Sequence, residues 1–327
     1  MKIKILFYGF RHSHIDRLYQ KVANSSFSEI AGCVESNDEA GKSAQDRLGA
    51  TFSDVSYEQW LASDIDAVAV GTAYGERGDA IIKALSAGKH VIADKPICTS
   101  LEQLQKIRSL AEEKHLKIAC MLDLRYLPQT LQAKEILASG ELGEIRNLSF
   151  NGQHCLGYGS RPTWYFEKGM HGGTVNDLAI HGIDLVRMLT DMEITHVDAA
   201  RVWNSYAYQH KDFRDSATFM ARLENGAGVL ADVSYSAPSQ VFSMPTYWEF
   251  RIWCERGLLT FCYAKDEITV YREGESEPIR ISCASSETDY LDEFYREISG
   301  DQNTMTENIL RSTQATLQIQ QVADEGQ

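Results

Sequence analysis

The sequence predicts an α/β fold class in two parts: an N-terminal doubly wound parallel sheet, then an α+β part with a mostly antiparallel open sheet. Three observations predict it. Short apolar runs alternate with helical stretches up to about residue 123. Beyond His196, strand follows strand with tight turns. The length, 327 residues, suits two cores better than one.

Each element has its own signal. Ile3 to Tyr8 is an apolar run of buried-strand type that stops at Gly9. Ile15 to Ala23 fits a helix, Ile30 to Val34 a second strand and Asp38 to Leu48 a second helix. Ala67 to Val70 is a buried strand, and Asp79 to Ala87 a helix closed by Gly88. Strands at His90 to Ala93 and Lys117 to Leu122 flank a helix from Leu101 to Lys114. The rhythm then changes. A helix from Leu131 to Ala138 and a turn at Gly140 to Gly143 lead into a strand from Ile145 to Asn151. Another helix follows Gly172-Gly173. Asn225-Gly226 between Ala217–Leu223 and Gly228–Ser234 is a hairpin signal, and Arg256-Gly257 marks another turn. Tyr247 to Trp253, Leu258 to Tyr263 and Ile268 to Tyr271 fit antiparallel strands. Helices near Tyr290 to Ile298 and Glu307 to Val322 end the chain. We expect one domain over 1–123 and a second over 124–327.

Composition narrows the function classes. Apolar residues are 43% and charged residues 24%, as in ordinary soluble proteins. A net charge of −14 argues against a nucleic-acid or anionic-membrane surface. Seven scattered cysteines form no Cys-x-x-Cys pair and read as reduced thiols in the cytoplasm. The first apolar run is too short for a signal peptide or a membrane span, and no later segment is long enough to span.

The first strand ends in Gly9-Phe10-Arg11-His12-Ser13-His14. A Rossmann dinucleotide fold places Gly-x-Gly-x-x-Gly or Ala here, so that phosphate can approach bare backbone and helix can pack on strand. Gly9 is in place; Arg11 and His14 stand where small residues are usual. Alone, the segment reads as an ordinary strand-to-helix turn. Glu35, 26 residues after Gly9 at the end of the second strand, is placed to accept from a ribose diol, or is a solvated loop acid. Arg11 can fold over phosphate. His12 and His14 form a His-x-His pair without a ligand cluster nearby in sequence, and no metal is expected.

Three further segments carry a resemblance. They are Thr72-Ala73-Tyr74, the run from Ala87 to Pro96 (Ala-Gly-Lys-His-Val-Ile-Ala-Asp-Lys-Pro), and the run from Gly172 to Asp184. The last holds a Gly-Gly, Asp, x-x-x-His, x-x-Asp pattern in Gly172, Gly173, Asp177, His181 and Asp184. In order and spacing the chain resembles the glucose–fructose oxidoreductase and inositol dehydrogenase family (Gfo/Idh/MocA). It departs at Asp94, where the family has Glu, at Thr72-Ala73-Tyr74 for Thr-Pro-Asn, and at Arg77 for a frequent His. The resemblance implies a nicotinamide-dependent dehydrogenase acting on a small sugar, cyclitol or related polyol. It implies cofactor contacts from Gly9, Phe10, Arg11, His12, Glu35, Ser36, Thr72, Ala73, Tyr74, Asp94 and Lys95, and a substrate contact from Arg125.

Such chemistry needs a base for the hydroxyl proton and a cation to steady the alkoxide. Asp177 and His181 are four apart and share a face of a helix, which Asp184 continues. Imidazole suits proton exchange near neutral pH. Lys95 follows a strand at the carboxyl edge of the sheet, where doubly wound folds bind ligands. The catalytic candidates are therefore Lys95, Asp177 and His181, expected to converge between the two domains. Blander readings stand beside them: Thr174-x-x-Asp177 as a capping box, His181 as a half-buried helix histidine, Lys95 as an exposed loop lysine. Arg161 and Trp164 sit in a glycine- and aromatic-rich stretch suited to a polyol, or to loop packing.

Glu35 favours NAD over NADP, because a 2′-phosphate would meet its carboxylate. Two other classes stay open. One is a sensor that binds cofactor or sugar without turnover. The other is a metal-dependent isomerase or hydrolase using His154, His171, Asp177 and His181. The open sheet suggests a partner over its face, hence a homodimer or homotetramer.

Overall fold

Ile3–Tyr8 forms β1, and Ser28–Val34 pairs beside it as β2. With Ala67–Val70 (β3), His90–Ala93 (β4) and Ile118–Cys120 (β5) it makes a five-stranded sheet in the order β2-β1-β3-β4-β5. All four pairings are parallel. β3 is Ala-Val-Ala-Val, buried at every position, as expected of a strand covered on both faces. This is the computed structural model of the chain, and it describes residues 2–238, 247–285, 288–300 and 304–326.

The helices of this sheet follow their sequence signals. His14–Asn24 (α1) buries Ile15, Leu18 and Val22, an apolar stripe of helical period. Asp38–Leu48 (α2) is capped by Asn37 and ends at Gly49 in the left-handed region. A short helix, Tyr57–Leu61 (α3), has a capping box of Ser56 and Gln59 that the pattern reading missed. Tyr74–Ser86 (α4) begins five residues before the expected start. Two glycines and two charges disguise its first turn as loop. Gly75 is there for close approach: a Cβ would lie 2.3 Å from the Gly169 carbonyl oxygen. Leu101–Glu113 (α5) starts on the Ser100 cap.

The chain divides into two units, and a single cut after residue 123 does not describe them. The first holds Met1–Met121, Gly169–Gly172 and Tyr290–Thr313; the second holds Leu122–Lys168, Gly173–Asp289 and Gln314–Gln327. The late segment joins the first unit through apolar and polar contacts. Phe294 meets His90 edge-on, Tyr295 donates to Ser28 Oγ at 2.5 Å, and the Ile118 amide donates to Thr306 Oγ1 at 2.9 Å.

In the second unit Pro128–Ala138 (α6) leads to Ile145–Gln153 (β6). Then come Ile180–Thr190 (α7), Ile194–Trp203 (β7), Ser216–Leu223 (β8) and Gly228–Ser234 (β9). Trp248–Cys254 (β10), Gly257–Cys262 (β11), Glu267–Arg272 (β12) and Ile279–Ser282 (β13) complete the strands described. Among the described residues they form one eight-stranded sheet, β13-β12-β11-β10-β6-β9-β8-β7, antiparallel except for β6 beside β9. The turn expected at Arg256-Gly257 falls one residue earlier, because Gly257 already pairs with Cys254. Tyr290–Ser299 (α8) and Met305–Glu325 (α9) follow.

Alternation along these strands separates two faces. Phe219, Val229, Trp248 and Phe250 are buried, while Met220, Leu230 and Trp253 are 48%, 53% and 52% exposed. The exposed side carries a groove of about 550 Å³ bounded by those three side chains with Asp198 and Arg222.

Candidate functional site

Three loops of the first unit leave the carboxyl ends of parallel strands. The first begins at Gly9, whose φ is 85°, and a Cβ there would lie 2.6 Å from the Thr72 amide nitrogen. Glycine is therefore demanded twice, by conformation and by space. Beyond it the loop departs from the expectation that the amides of Phe10 to His12 await phosphate. The Phe10 amide donates to Glu35 Oε2 at 2.5 Å and the Arg11 amide to the Gly71 carbonyl at 2.9 Å. The Phe10 ring is buried against Phe7, Tyr19 and Phe52.

Glu35 also takes the Asn37 amide on Oε1, at 2.8 Å. Each carboxylate oxygen keeps a second lone pair, so these bonds leave acceptor capacity for a hydroxyl. Glu35, Ser36, Gly9, Arg11 and Thr72 line one cavity of about 190 Å³, together with Tyr57 and Lys83. Thr72 Oγ1 is buried without a hydrogen-bond partner among the described residues. A buried orphan hydroxyl beside a cavity is a site for a ligand atom.

Asp94 directly follows β4 and is fully buried. It gathers the His-x-His pair: His12 Nδ1 lies 2.7 Å from Oδ2 and His14 Nδ1 3.0 Å from Oδ1. Burial lowers the His12 imidazole to about 4, so His12 is neutral and donates through Nδ1 to the carboxylate. Burial opposes the Asp94 charge. The two imidazoles and the Arg77 guanidinium outweigh it and hold the carboxyl well below the usual range. The expectation of an isolated His-x-His pair is thus corrected: the ligand-type atoms of His12, His14 and Asp94 lie within 4.8 Å of one another. Both carboxylate oxygens face imidazoles, and a guanidinium lies 3.4 Å away.

Arg77, on the first turns of α4, is wholly buried. Its Nη1 donates to the carbonyls of Lys95 (2.7 Å) and Pro96 (3.1 Å), and its Nη2 to the Thr72 carbonyl (2.7 Å). Lys95 is 2% exposed, not an open loop lysine, and the Lys95–Pro96 peptide is cis. Ala73 caps α4 and Tyr74 opens it, both buried. The Tyr74 ring has the Arg77 guanidinium at 4.8 Å, Lys95 Nζ at 5.7 Å, His12 at 5.6 Å and His171 at 6.0 Å.

In the second unit Asp177 does not sit on a plain α-helix. Val175–Ala179 is a π-helical turn that runs into α7. The capping-box reading fails here, because Thr174 makes no side-chain cap and donates instead to the Arg214 carbonyl. Gln320 Oε1 accepts from the amides of Val175 and Asn176 at 2.9 and 3.3 Å and so anchors the turn. π turns recur at functional sites. Asp177 is 1% exposed, and Oδ2 accepts a hydrogen bond from the Tyr235 hydroxyl. Burial first, then the Asp177 charge, pushes the Tyr235 phenol well above its ordinary value, so it stays a donor. Tyr235 escaped the sequence reading: 58 residues separate it from Asp177. His181, one residue into α7, is 5% exposed with the Trp248 ring 5.8 Å away. Trp248 Nε1 donates to His154 Nε2 at 3.1 Å.

Three expected substrate contacts also bond or pack within the protein itself. Arg125, in a 3₁₀ turn at Asp123–Tyr126, grips Asp184 with two bonds, Nε to Oδ2 at 2.5 Å and Nη2 to Oδ1 at 2.9 Å. Arg161 donates to the carbonyls of Leu156 and Cys155 and lies over the Tyr165 ring. Trp164 is 2% exposed, packed on Tyr165. Arg161 and Trp164 both pack within the loop that carries them.

Two family models match the chain. One, described as an oxidoreductase family with an NAD-binding Rossmann fold, covers residues 3–121; the other, a Gfo/Idh/MocA C-terminal domain, covers 130–260. Levoglucosan dehydrogenase of Pseudarthrobacter phenanthrenivorans is 29% identical over 48% of this chain and 41% of that protein. The NAD⁺-dependent scyllo-inositol 2-dehydrogenase of Bacillus subtilis is 29% identical over 58% of this chain and 53% of that one. The chain thus matches about half the length of these relatives. A crystal structure from Erwinia carotovora atroseptica superposes with a TM-score of 0.89 at 23% identity, covering 98% of this chain and 99% of that one, which speaks for the fold. No helix among the described residues is long and apolar enough to cross a membrane. From the two matched stretches, which together take in most of its length, the chain belongs to the Gfo/Idh/MocA family of NAD-binding oxidoreductases.

Proposed function

We propose that the protein is an NAD-dependent dehydrogenase acting on a secondary hydroxyl of a sugar, cyclitol or related polyol. The residues of the first unit fit the cofactor. The cavity beside Gly9, the orphan Thr72 hydroxyl and the remaining acceptor capacity of Glu35 suit a ribose and its phosphate. With the Phe10 and Arg11 amides engaged, the Arg11 side chain takes over part of the phosphate contact. When bound, the nicotinamide supplies the hydride acceptor or donor.

The chain's own residues do the rest. Lys95 donates from its ammonium to the substrate oxygen and lowers that hydroxyl's pKa. His181 takes the hydroxyl proton. Asp177, oriented through Oδ2 by Tyr235, accepts from substrate or imidazole. The observation that carries this reading is Lys95 itself, a lysine 2% exposed at the carboxyl end of a parallel strand, where desolvation sharpens its effect on a nearby oxygen. The names of the relatives support the substrate class.

The test is reduced-nicotinamide absorbance with NAD and a panel of myo-inositol, scyllo-inositol, levoglucosan, D-xylose and D-glucose. Turnover with at least one is expected. Tight NAD binding with none of them, nor with a wider polyol set, would favour the sensor. We place the enzyme in the cytoplasm, in keeping with its seven free cysteines. We also infer a homodimer or homotetramer, supported by the half-exposed Met220, Leu230 and Trp253 on one sheet face. A monomeric mass by light scattering would overturn that.

A further inference from the structure

We propose that Arg77 is a positioning residue for Lys95, acting through the loop that carries it. The proposal rests on the catalytic reading of Lys95. A fully buried arginine is a poor way to gain stability, because its desolvation must be repaid bond by bond. Here the repayment is incomplete: Arg77 Nε is buried with no hydrogen-bond partner among the described residues. What the side chain does accomplish is specific. Its two terminal nitrogens span three backbone carbonyls, those of Thr72, Lys95 and Pro96, at 2.7 to 3.1 Å. The same guanidinium lies 3.4 Å from Asp94 and 4.8 Å from the Tyr74 ring, on which Lys95 Nζ also rests at 5.7 Å.

These contacts bracket the Lys95 side chain. The backbone is fixed at its own carbonyl and the next, and the ammonium end leans on a ring held by the same guanidinium. A planar fork with fixed donor directions can do this; a single ammonium on a flexible stem cannot hold three carbonyls in one geometry. Misplacing a catalytic cation by about 1 Å costs on the order of a hundredfold in rate.

The experiment is a double-mutant cycle in the full chain, with NAD and the fastest polyol of the panel above. Arg77→Lys keeps the charge and loses the fork; Arg77→Gln, with one planar donor pair, is the second variant. Each should lower kcat about tenfold or more while NAD affinity by calorimetry changes less than threefold. Added to Lys95→Ala, each should cost less than twofold, because an arginine acting through Lys95 has nothing left to position. A full additional loss in the Lys95→Ala background would overturn the proposal, as would unchanged kcat in either folded variant. A fully active Lys95→Ala enzyme would instead remove the catalytic reading, and this proposal with it. A substrate-independent arm is the crystal structure of whichever variant folds: the Lys95–Pro96 segment should shift, and a segment unmoved there would overturn the assignment.

Discussion

The two units hold their buried aspartates in opposite ways. Asp94 in the first is hemmed by His12, His14 and Arg77, so both oxygens meet basic groups. Asp177 in the second takes a hydrogen bond from a phenol that burial keeps protonated. A carboxylate ringed by basic groups is pinned as an anion and serves to fasten chain to chain. A carboxylate that accepts from a buried phenol is met by a donor without formal charge. The difference separates an anchor from an aspartate met by a neutral donor, although both have almost no exposure.

The largest expected effect breaks the anchor. His12 is lowered by burial to about 4, against about 6.5 in an unfolded chain. The unfolded state therefore binds more protons, and stability rises with pH. Going the other way, stability is lost as pH falls from about 6.5 to about 4, by roughly 3 kcal/mol over that window. His12→Gln should flatten this part of the stability–pH curve, measured by denaturant unfolding. His90, also lowered by burial, leaves a smaller residual slope. An unchanged slope in His12→Gln would mean that His12 is not buried neutral.

The proposed catalytic residues of the second unit are probed next. His181→Ala should cut turnover by roughly a hundredfold or more if His181 carries the proton. Turnover at the native level would pass that role to Asp177 or Lys95. Tyr235→Phe removes one donor to Asp177 and should lower kcat by about tenfold, the scale of a hydrogen bond to a charged group. Thermal unfolding of the same variant separates this from a loss of fold. If Tyr235→Phe is as active as the native protein, Asp177 is oriented by other contacts.

How far the sequence reaches can be judged on these same residues. The parallel strands were legible because each is a short apolar run ended by a glycine or a charge. The Asp177 and His181 spacing was legible as a pattern, but the π turn was not, since its widened turn leaves no periodic trace in five residues. Asp94 could not be paired with His12 and His14 because it stands 82 and 80 positions further along the chain. The destination of Arg77 did leave a signal. Tyr74, Arg77, Gly78, Ile81, Ala84 and Leu85 are spaced as a buried helical stripe, and all are buried. A charge on such a stripe marks a buried ion. Arg125 and Arg161 left no signal of their intramolecular partners, because Asp184 lies 59 residues from Arg125 and Arg161 donates to backbone carbonyls.

The smallest effect concerns the acid that the first unit keeps outside its Asp94 cluster. Glu35 holds the Phe10 and Asn37 amides, yet it lines the cavity, and Glu76 and Asp79 line it too. Two bases, Arg11 and Lys83, share that wall, but Lys83 is paired with Glu58 at 2.8 Å. A 2′-phosphate would therefore meet an excess of negative charge. At about 4 Å in a largely solvated pocket, one such repulsion is on the order of 1 kcal/mol, or about fivefold in affinity. NAD should bind more tightly than NADP, and Glu35→Gln should shrink that ratio by about fivefold. Glutamine keeps one oxygen, enough for the Phe10 amide, but its NH2 loses the bond from the Asn37 amide as the charge goes. Because any slackening of the loop weakens both cofactors alike, the ratio of the two affinities by calorimetry is the quantity to read. Equal or tighter NADP binding by the native protein would refute the role given to Glu35; a ratio unmoved by Glu35→Gln would transfer the discrimination to Glu76 and Asp79.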